Sequence, residues 1–572
     1  MCNGAPAAPD FNNNISVFPP KGHQPDDSDL AVSRLPEDTR PLGCKNCDNK
    51  TIAGTVNYAL ARPVAAWANP NQNGFTRGRQ GLDNVVTLDA RARIAAAVAD
   101  ALPLPDLPLW PILCFFDFAA AFPSVAHLLI MRTLETLRFP QGLRNYFSTL
   151  YSNNQCYARL AGCKVYLYAL ASGIIQGCPL SGTVFVIVVD TFLNLLDGQA
   201  RNTLCRAFAD DIGAILHQLD QLLPLNRAFN TFAKISGLQL KPKKCAIVVV
   251  SKPLTPDIIQ AIKRYLIANT PDWSEFKITD QATYLGYQMG PKGGAIASWH
   301  APLSKYYSRA QDIFKAGAPP RVGLMLYRTF DTPTLGYIAQ LAKLPAQADK
   351  TELRALQKVT HVTHNGLPKD VYHQLDLIGF PRIPPLRTQC DAARARTALQ
   401  TCSVWEEEYA KLSLARDNTL PPLGSRSQIQ DWDRPTPPHW DSISFADDLK
   451  HAYVYICQPL GYSRSNASKN FEPNLQRNIT AQLCERRPAC DLAATLNFRL
   501  RKLTKHPRDK DPLAIGAIKT ALATAAKASG HVAWQLILSW CNAWNTDRRV
   551  AQATTPCRFG CRSGADDLTH YL

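Results

Sequence analysis

The sequence predicts an α+β chain of several domains, and three observations carry that expectation. Two short apolar runs end on carboxylates, as buried strands do where they leave a sheet. The second half of the chain carries helical spacing instead of alternation. A chain of 572 residues with 46% hydrophobic content is larger than one core usually serves.

The strands come first. Trp110-Pro-Ile-Leu-Cys-Phe-Phe-Asp-Phe118 is an apolar run carrying one acid, Asp117, behind the proline cluster Leu102-Pro-Leu-Pro-Asp-Leu-Pro108. That is the pattern of a buried strand with a charge at its exit. A helix should follow, with Ser124 as N-cap, Val125, Leu128, Leu129 and Leu134 facing inward, and Pro140 marking its stop. The run Val184-Phe-Val-Ile-Val-Val189 is cut by Asp190, well short of the ~20 residues a membrane span needs. It reads as a core helix, and no membrane partner is expected.

Arg206-Ala-Phe-Ala-Asp-Asp-Ile-Gly-Ala-Ile-Leu216 reads as a hairpin with Asp210 and Asp211 at its turn. Aspartate is common in turns, so the pair alone says little. Asp117 at a further strand end changes the reading. Three carboxylates meeting on one sheet repel and lose hydration, and a hard divalent cation reverses that balance. Two such ions, roughly 3.5–4 Å apart, would serve in-line phosphoryl transfer.

The net charge of +17 fits a polyanionic partner, although a membrane surface or a ribosome would also suit it. The 17 cysteines show no framework spacing, and Met1-Cys-Asn-Gly-Ala-Pro-Ala-Ala-Pro-Asp10 is no secretory signal. A reducing compartment with free thiols is expected, which excludes a secreted disulfide scaffold. Cys44-Lys-Asn-Cys47 lacks the second pair that a metal site needs.

Seven blocks in order resemble the palm and fingers of a reverse transcriptase, most closely the non-LTR (LINE-type) retrotransposon class. They are Arg40-Pro-Leu through Lys50, Gly74-Phe-Thr-Arg-Gly-Arg-Gln80, Asp117-Phe-Ala-Ala-Ala-Phe-Pro-Ser-Val125 and Ser172-Gly-Ile-Ile-Gln-Gly-Cys-Pro-Leu-Ser-Gly182. Phe208-Ala-Asp-Asp211, Phe232 through Lys244-Cys245 and Thr283-Tyr-Leu-Gly286 complete the set. The last of these resembles a primer grip.

The resemblance implies a right-hand polymerase whose palm holds an antiparallel sheet. Asp117, Asp210 and Asp211 would hold two Mg²⁺ ions, or Mn²⁺ in their place, with Asp211 the less direct ligand. Phe122 would stand under the incoming sugar and reject a ribose 2′-hydroxyl. Gln176 and Gly177 would meet the bound nucleotide, Gly177 by letting backbone come close. Lys50, Arg77 and Arg79 would meet triphosphate or template, though cations in such a loop are often simply solvated. Lys244 would either protonate the leaving pyrophosphate or join Lys241 and Lys243 in tracking phosphates.

The implied order is a disordered tail over 1–16, fingers over 17–109 and palm over 110–290. Val17-Phe-Pro-Pro-Lys-Gly22 resembles the start of the first finger strand. A thumb-like helical region follows over 291–419, with Tyr306, Ala310, Ile313 and Phe314 in its periodic pattern and Thr334-Leu-Gly-Tyr337 resembling a thumb helix. A proline-rich linker covers 420–442. A basic helical region follows over 443–550, with Arg499, Arg501, Lys502, Lys505, Arg508 and Lys510. Over 551–572, Cys557, Cys561 and His570 resemble the first three ligands of a Cys-Cys-His-Cys zinc knuckle; for a Zn²⁺ site either the knuckle is truncated before its fourth ligand or a nearer cysteine such as Cys541 substitutes.

The expected function is RNA-directed DNA polymerisation by a non-LTR retroelement protein. Its partners would be an RNA template, a DNA primer or target, and dNTPs, and the resemblance implies action in the nucleus, with a cytoplasmic ribonucleoprotein as the alternative. Neither half carries a convincing endonuclease block, so target nicking is expected to be absent from this chain, lost, or supplied elsewhere. Two alternatives stay open: another palm polymerase such as an RNA-dependent RNA polymerase, against which Phe122 argues, and a catalytically silent nucleic-acid-binding relic or co-opted scaffold.

Overall fold

The computed structural model describes residues 1–101, 110–419, 439–464, 472–486, 492–504, 512–541 and 543, less positions 6, 23, 25, 29–31, 201, 202 and 365. The chain divides into two compact units. The first joins Met1–Gly293 to Val404–Ser444, and the second joins Gly294–Ser403 to Phe445–Leu572.

Eleven strands are described in the first unit: β1 Asn14–Val17, β2 Leu42–Lys45, β3 Ile112–Phe116, β4 Gln155–Leu160, β5 Cys163–Ala169, β6 Leu204–Phe208, β7 Asp211–Leu216, β8 Ala246–Val249, β9 Lys277–Thr279, β10 Ala282–Tyr284 and β11 Tyr287–Met289. Five of them form one sheet in the order β6-β7-β3-β8-β9. In it β3 runs antiparallel to both β7 and β8, while β8 and β9 are parallel. All five residues of β3 are buried, as the apolar run predicted. A second sheet has the order β2-β1-β4-β5, and β10 pairs with β11 alone.

Eight helices support these sheets: α1 Cys47–Trp67, α2 Gly81–Ala101, α3 Ala121–Ser124, α4 His127–Thr136, α5 Gln141–Tyr151, α6 Ser181–Gln199, α7 Leu222–Ser236 and α8 Pro256–Asn269. Helix α6 is long and apolar enough to cross a membrane by composition, yet Val184 through Asp190 are all buried in the protein core. Asp190 is taken up by the Asn69 backbone N–H at 2.6 Å and the Asn194 amide at 2.8 Å. Behind the five-stranded sheet, Phe116, Phe118, Phe192, Phe229 and Trp273 pack as one aromatic cluster.

Three sequence expectations need correction. Ser124 is not an N-cap: its hydroxyl donates to the Ala120 carbonyl at 2.9 Å, and the longer helix starts after Ala126. Leu128 consequently points outward, 69% exposed, whereas Val125 and Leu134 are buried. Residues 1–16 are not a loose tail either. Phe11 and Asn12 are buried, β1 sits inside a sheet, and the Asn12 amide donates to the Thr149 and Ser152 carbonyls at the end of α5. Finally, helix Trp405–Thr419, assigned by chain order to the thumb-like region, belongs to the first unit and packs on α2. Glu408 ion-pairs there with Arg91 at 2.8 Å.

Residues 439–444 also return to the first unit. Arg93, wholly buried, bonds Asp89 at 3.1 Å, donates to the Ser442 carbonyl at 2.7 Å and lies 4.2 Å over the Trp440 ring.

The regular elements described in the second unit are all helices, as the spacing predicted. Tyr306, Ala310 and Ile313 are buried on helix Ala295–Lys315, while Phe314 stays 40% exposed. The Tyr306 and Tyr327 hydroxyls meet at 2.7 Å. The 420–438 stretch of the linker, Lys505, Arg508 and Lys510 of the basic segment, and Cys557, Cys561 and His570 lie outside the described residues. The described cysteines are free, Cys44 and Cys47 among them.

Candidate active site

The site forms where β3 and the β6–β7 hairpin end together. Phe116 pairs with Ile212, so Asp117 leaves β3 beside the start of β7, where Asp211 pairs with Phe208. Facing residues on antiparallel strands are about 4.5–5.5 Å apart at Cα, so Asp117 and Asp211 emerge at one end of the sheet. Ala209 and Asp210 form the tight turn between the hairpin strands. Ala209 takes φ +55°, a conformation that non-glycine residues adopt at some cost and that clusters at functional sites.

The electrostatics agree with that convergence. Burial holds the Asp211 carboxyl up at about 6, with the charges of Asp210 and Asp117 adding to it. Asp210 is also raised, first by burial, with Asp117 contributing. Lys244 Nζ lies 3.4 Å from Asp117 Oδ2, which brings this lysine to the acids, while Lys243 pairs with Glu275 at 3.6 Å. Cys245, fully buried, accepts from the Asp117 N–H at 3.4 Å and fixes the backbone behind the acid.

Among the described residues, no three acidic, histidine or cysteine side chains are gathered tightly enough to hold a metal ion as they stand. The donor chemistry nonetheless fits a hard divalent cation. All three offer carboxylate oxygens, and the charged forms of Asp210 and Asp211 are disfavoured by burial and by neighbouring carboxylates, the condition that such a cation relieves.

A segment that sequence reasoning passed over holds the turn in place. Gln72 is wholly buried. Its Oε1 accepts from the Gly74 N–H at 2.7 Å and the Ala209 N–H at 2.9 Å, and its Nε2 donates to the Ala209 carbonyl at 3.3 Å. One amide thus brackets the residue that precedes the acid pair. On either side, the Asn73 N–H donates to the Ala207 carbonyl and the Ala207 N–H to the Asn71 carbonyl, both at 2.8 Å. Asn84 joins the same Ala207 carbonyl at 2.9 Å to the Tyr284 hydroxyl at 3.1 Å. Gly74 lies so close that a Cβ there would stand 2.0 Å from the Ala209 nitrogen. The available signal was the amide-rich run Asn69-Pro-Asn-Gln-Asn-Gly74.

The remaining expected residues divide. Phe122 is half-buried, stacked on Phe185 at 4.5 Å and edge-on to Phe75 at 5.9 Å, so its ring is braced from two sides. Gly177 takes φ +111°, with its position for a Cβ only 2.8 Å from the Gly43 carbonyl. The neighbouring Gln176 carbonyl accepts from the Gly43 N–H at 2.8 Å, which ties this loop to β2. Lys50 and Arg77 are exposed.

Arg79 departs from its expected role as a triphosphate or template contact. Its guanidinium donates to the carbonyls of Ala65, Ala68, Asn69 and Gln72 at 2.6–3.0 Å. It closes the C-terminus of α1, where unpaired carbonyls attract a cation. Its side chain supports the amide-rich segment instead of facing substrate.

Residues 23–289 match the family described as reverse transcriptase (RNA-dependent DNA polymerase). This chain carries a reverse transcriptase domain. The curated relatives it matches are transposon and retrotransposable-element proteins. The transposon TX1 149 kDa protein of Xenopus laevis is 26% identical over 239 residues, 40% of this chain and 17% of that protein. The Pol polyprotein of the type-2 retrotransposable element R2DM of Drosophila melanogaster is 24% identical over 56% of this chain and 29% of its own length. That of a type-1 element R2 of Popillia japonica is 25% identical over 63% of this chain and 52% of its own length. The chain therefore spans between about a sixth and about half of these relatives. A telomerase structure from Candida Tropicalis aligns over 74% of this chain and 64% of its own at 11% identity, with a TM-score of 0.37. The reverse transcriptase domain covers both the Asn69–Gly74 segment and the three aspartates.

Proposed function

We propose that this protein is an RNA-directed DNA polymerase of a non-LTR retroelement, extending a DNA primer on an RNA template. The observation that carries the reading is the convergence of Asp117, Asp210 and Asp211 at one sheet end inside a reverse transcriptase domain. In the reaction the primer 3′-hydroxyl gives its proton to water and attacks the α-phosphorus of a dNTP. A new phosphodiester bond forms, the bond to pyrophosphate breaks, and no covalent enzyme intermediate arises. Mg²⁺ held by these carboxylates, or Mn²⁺ in its place, supplies the charge that stabilises the attacking and leaving oxygens.

The chain's own residues position the reactants. Asp117 and Asp210 are the principal cation ligands in this reading, and Asp211 adds negative charge behind them. Lys244, 3.4 Å from Asp117, is close enough to the acids to deliver a proton to departing pyrophosphate, which favours that role over phosphate tracking. Phe122, its ring braced by Phe185 and Phe75, would stand under the incoming sugar and reject a ribose 2′-hydroxyl. Arg77 and Lys50 are the exposed cations available to phosphate.

The test is extension of a primed RNA template with dNTPs and, separately, with rNTPs, in Mg²⁺ and in Mn²⁺. The reading expects extension with dNTPs and strong discrimination against rNTPs. Preferred rNTP use would favour an RNA polymerase, and tight primer–template binding with no extension in either metal would favour a silent scaffold.

A further inference from the structure

We infer a phosphodiester-binding cleft in the second unit, lined by Arg328, Arg382, Arg396 and Arg477, that takes a single nucleic-acid strand by its backbone. The inference rests on the nucleic-acid reading above and assigns a separate surface to it.

The cleft is open and has a volume of about 790 Å³. One wall is helix Leu475–Arg486, which buries Leu475 and Ile479 against helix Leu386–Arg396. That packing turns Arg477 and Thr480 toward the cleft, where Gln389 and Arg396 line the opposing wall. No carboxylate among the described residues lines it, so four cations share one concavity without a neutralising acid. Four positive charges so confined repel each other, and an arriving polyanion removes that repulsion.

Arg396 is the built element. It is half-buried and held by a neutral partner, Gln340 Oε1, at 2.8 Å. Its Nε is buried with no hydrogen-bond partner among the described residues. Burial accordingly lowers its pKa, a cost that an anion at the cleft would offset. The backbone beneath is irregular as well. Arg328 lies within the π-helical turn Tyr327–Asp331, and Arg396 directly precedes another, Thr397–Thr401. Single π turns inside helices occur often at functional sites.

The lining also says how the strand is read. Among the described residues it contains arginines, amides, a hydroxyl, prolines and an alanine, and no aromatic ring on which a base could stack. Backbone phosphates are therefore the recognised groups, and binding should be indifferent to sequence.

The experiment uses the full chain and measures its affinity for single-stranded RNA and DNA 20-mers of one sequence as a function of salt. Each phosphate contact on a single strand contributes about −0.7 to the slope of log K against log salt. Arg382→Gln/Arg477→Gln should flatten that slope by about 1.4 and weaken binding at least tenfold at moderate salt. The charge-conserving Arg382→Lys/Arg477→Lys should restore most of the slope, which a merely structural role would not produce. A loss confined to the RNA or to the DNA arm identifies the strand that occupies the cleft. Unchanged slope and affinity in the glutamine pair, or loss of binding that lysine does not rescue, would overturn the inference. Extension of a short pre-annealed primer at saturating concentration is followed in parallel. Extension with an unchanged slope refutes the cleft alone, and a flattened slope without any extension refutes the polymerase alone.

Discussion

Gln72→Leu tests how the catalytic turn is held. The side chain is buried, and its Oε1 is the acceptor for two backbone N–H groups, those of Gly74 and Ala209. Leucine keeps the bulk and removes the acceptor. Each amide left unpaired costs about 1–3 kcal/mol, so the native turn loses roughly 2–6 kcal/mol against any rearrangement that reaches water. Ala209 also carries the strain of its positive φ, about 1–3 kcal/mol, which the bracketing amide resists. The turn should therefore relax and carry Asp210 and Asp211 with it. A displacement of about 1 Å at reacting groups costs roughly 100-fold in rate. The assay is single-nucleotide extension on a primed RNA template, giving kcat and KM for the dNTP, with thermal unfolding alongside. The expected result is a kcat lower by about 100-fold, with little change in primer–template affinity. Gln72→Glu keeps the acceptor, but an ionised carboxylate there is buried and faces the Ala209 carbonyl, so it should lose activity as well. A Gln72→Leu protein within threefold of wild-type kcat and equally stable would refute the clamp.

Other outcomes follow from the same packing. Gly74→Ala drives a methyl into the Ala209 nitrogen, and extension should drop by 100-fold or more, about 2.7 kcal/mol of barrier, as read in the same assay. Arg93→Met strips buried Asp89 of its arginine and should destabilise the first unit by about 3–5 kcal/mol in urea unfolding, while Arg93→Met/Asp89→Leu should recover only part of it, because the Ser442 and Ile443 carbonyls still lack their donor. Asp331 is buried, neither of its carboxylate oxygens has a hydrogen-bond partner among the described residues, and burial raises its pKa from the usual carboxylate range to about 7. The folded state then holds a proton that the unfolded chain releases near pH 4, so stability should fall as pH rises from about 4 to 7. Asp331→Asn should flatten that decline and raise the melting temperature more at pH 8 than at pH 5, and equal shifts at both pH values would argue against it.

Much of the site was legible because its chemistry constrains local sequence. An acid at the exit of an all-apolar run could only be a strand end, and Asp117 is one. An acid pair between two short apolar runs marked the β6–β7 hairpin. What stayed hidden was direction and distance. Ser124 has the right type for an N-cap, but its hydroxyl turns back to Ala120, and nothing local distinguishes those two bonds. Arg79 sits in a glycine-rich loop where a phosphate contact is reasonable, yet its guanidinium faces inward to four carbonyls. The asparagines near the N-terminus read as disorder by composition, although Asn12 serves as a buried cap on α5. Helix Trp405–Thr419 packs on α2, more than three hundred residues earlier, and no pattern within the helix records that partner.

The central claim is that Asp117 and Asp210, far apart in sequence, act on one nucleotide. Single-turnover extension by Asp117→Asn and Asp210→Asn at saturating primer–template tests it most directly. Each near-isosteric change removes one charge and should slow the chemical step by about 1,000-fold, or ~4 kcal/mol, while primer–template affinity stays within threefold. Extension at near wild-type rate by either variant would contradict the account.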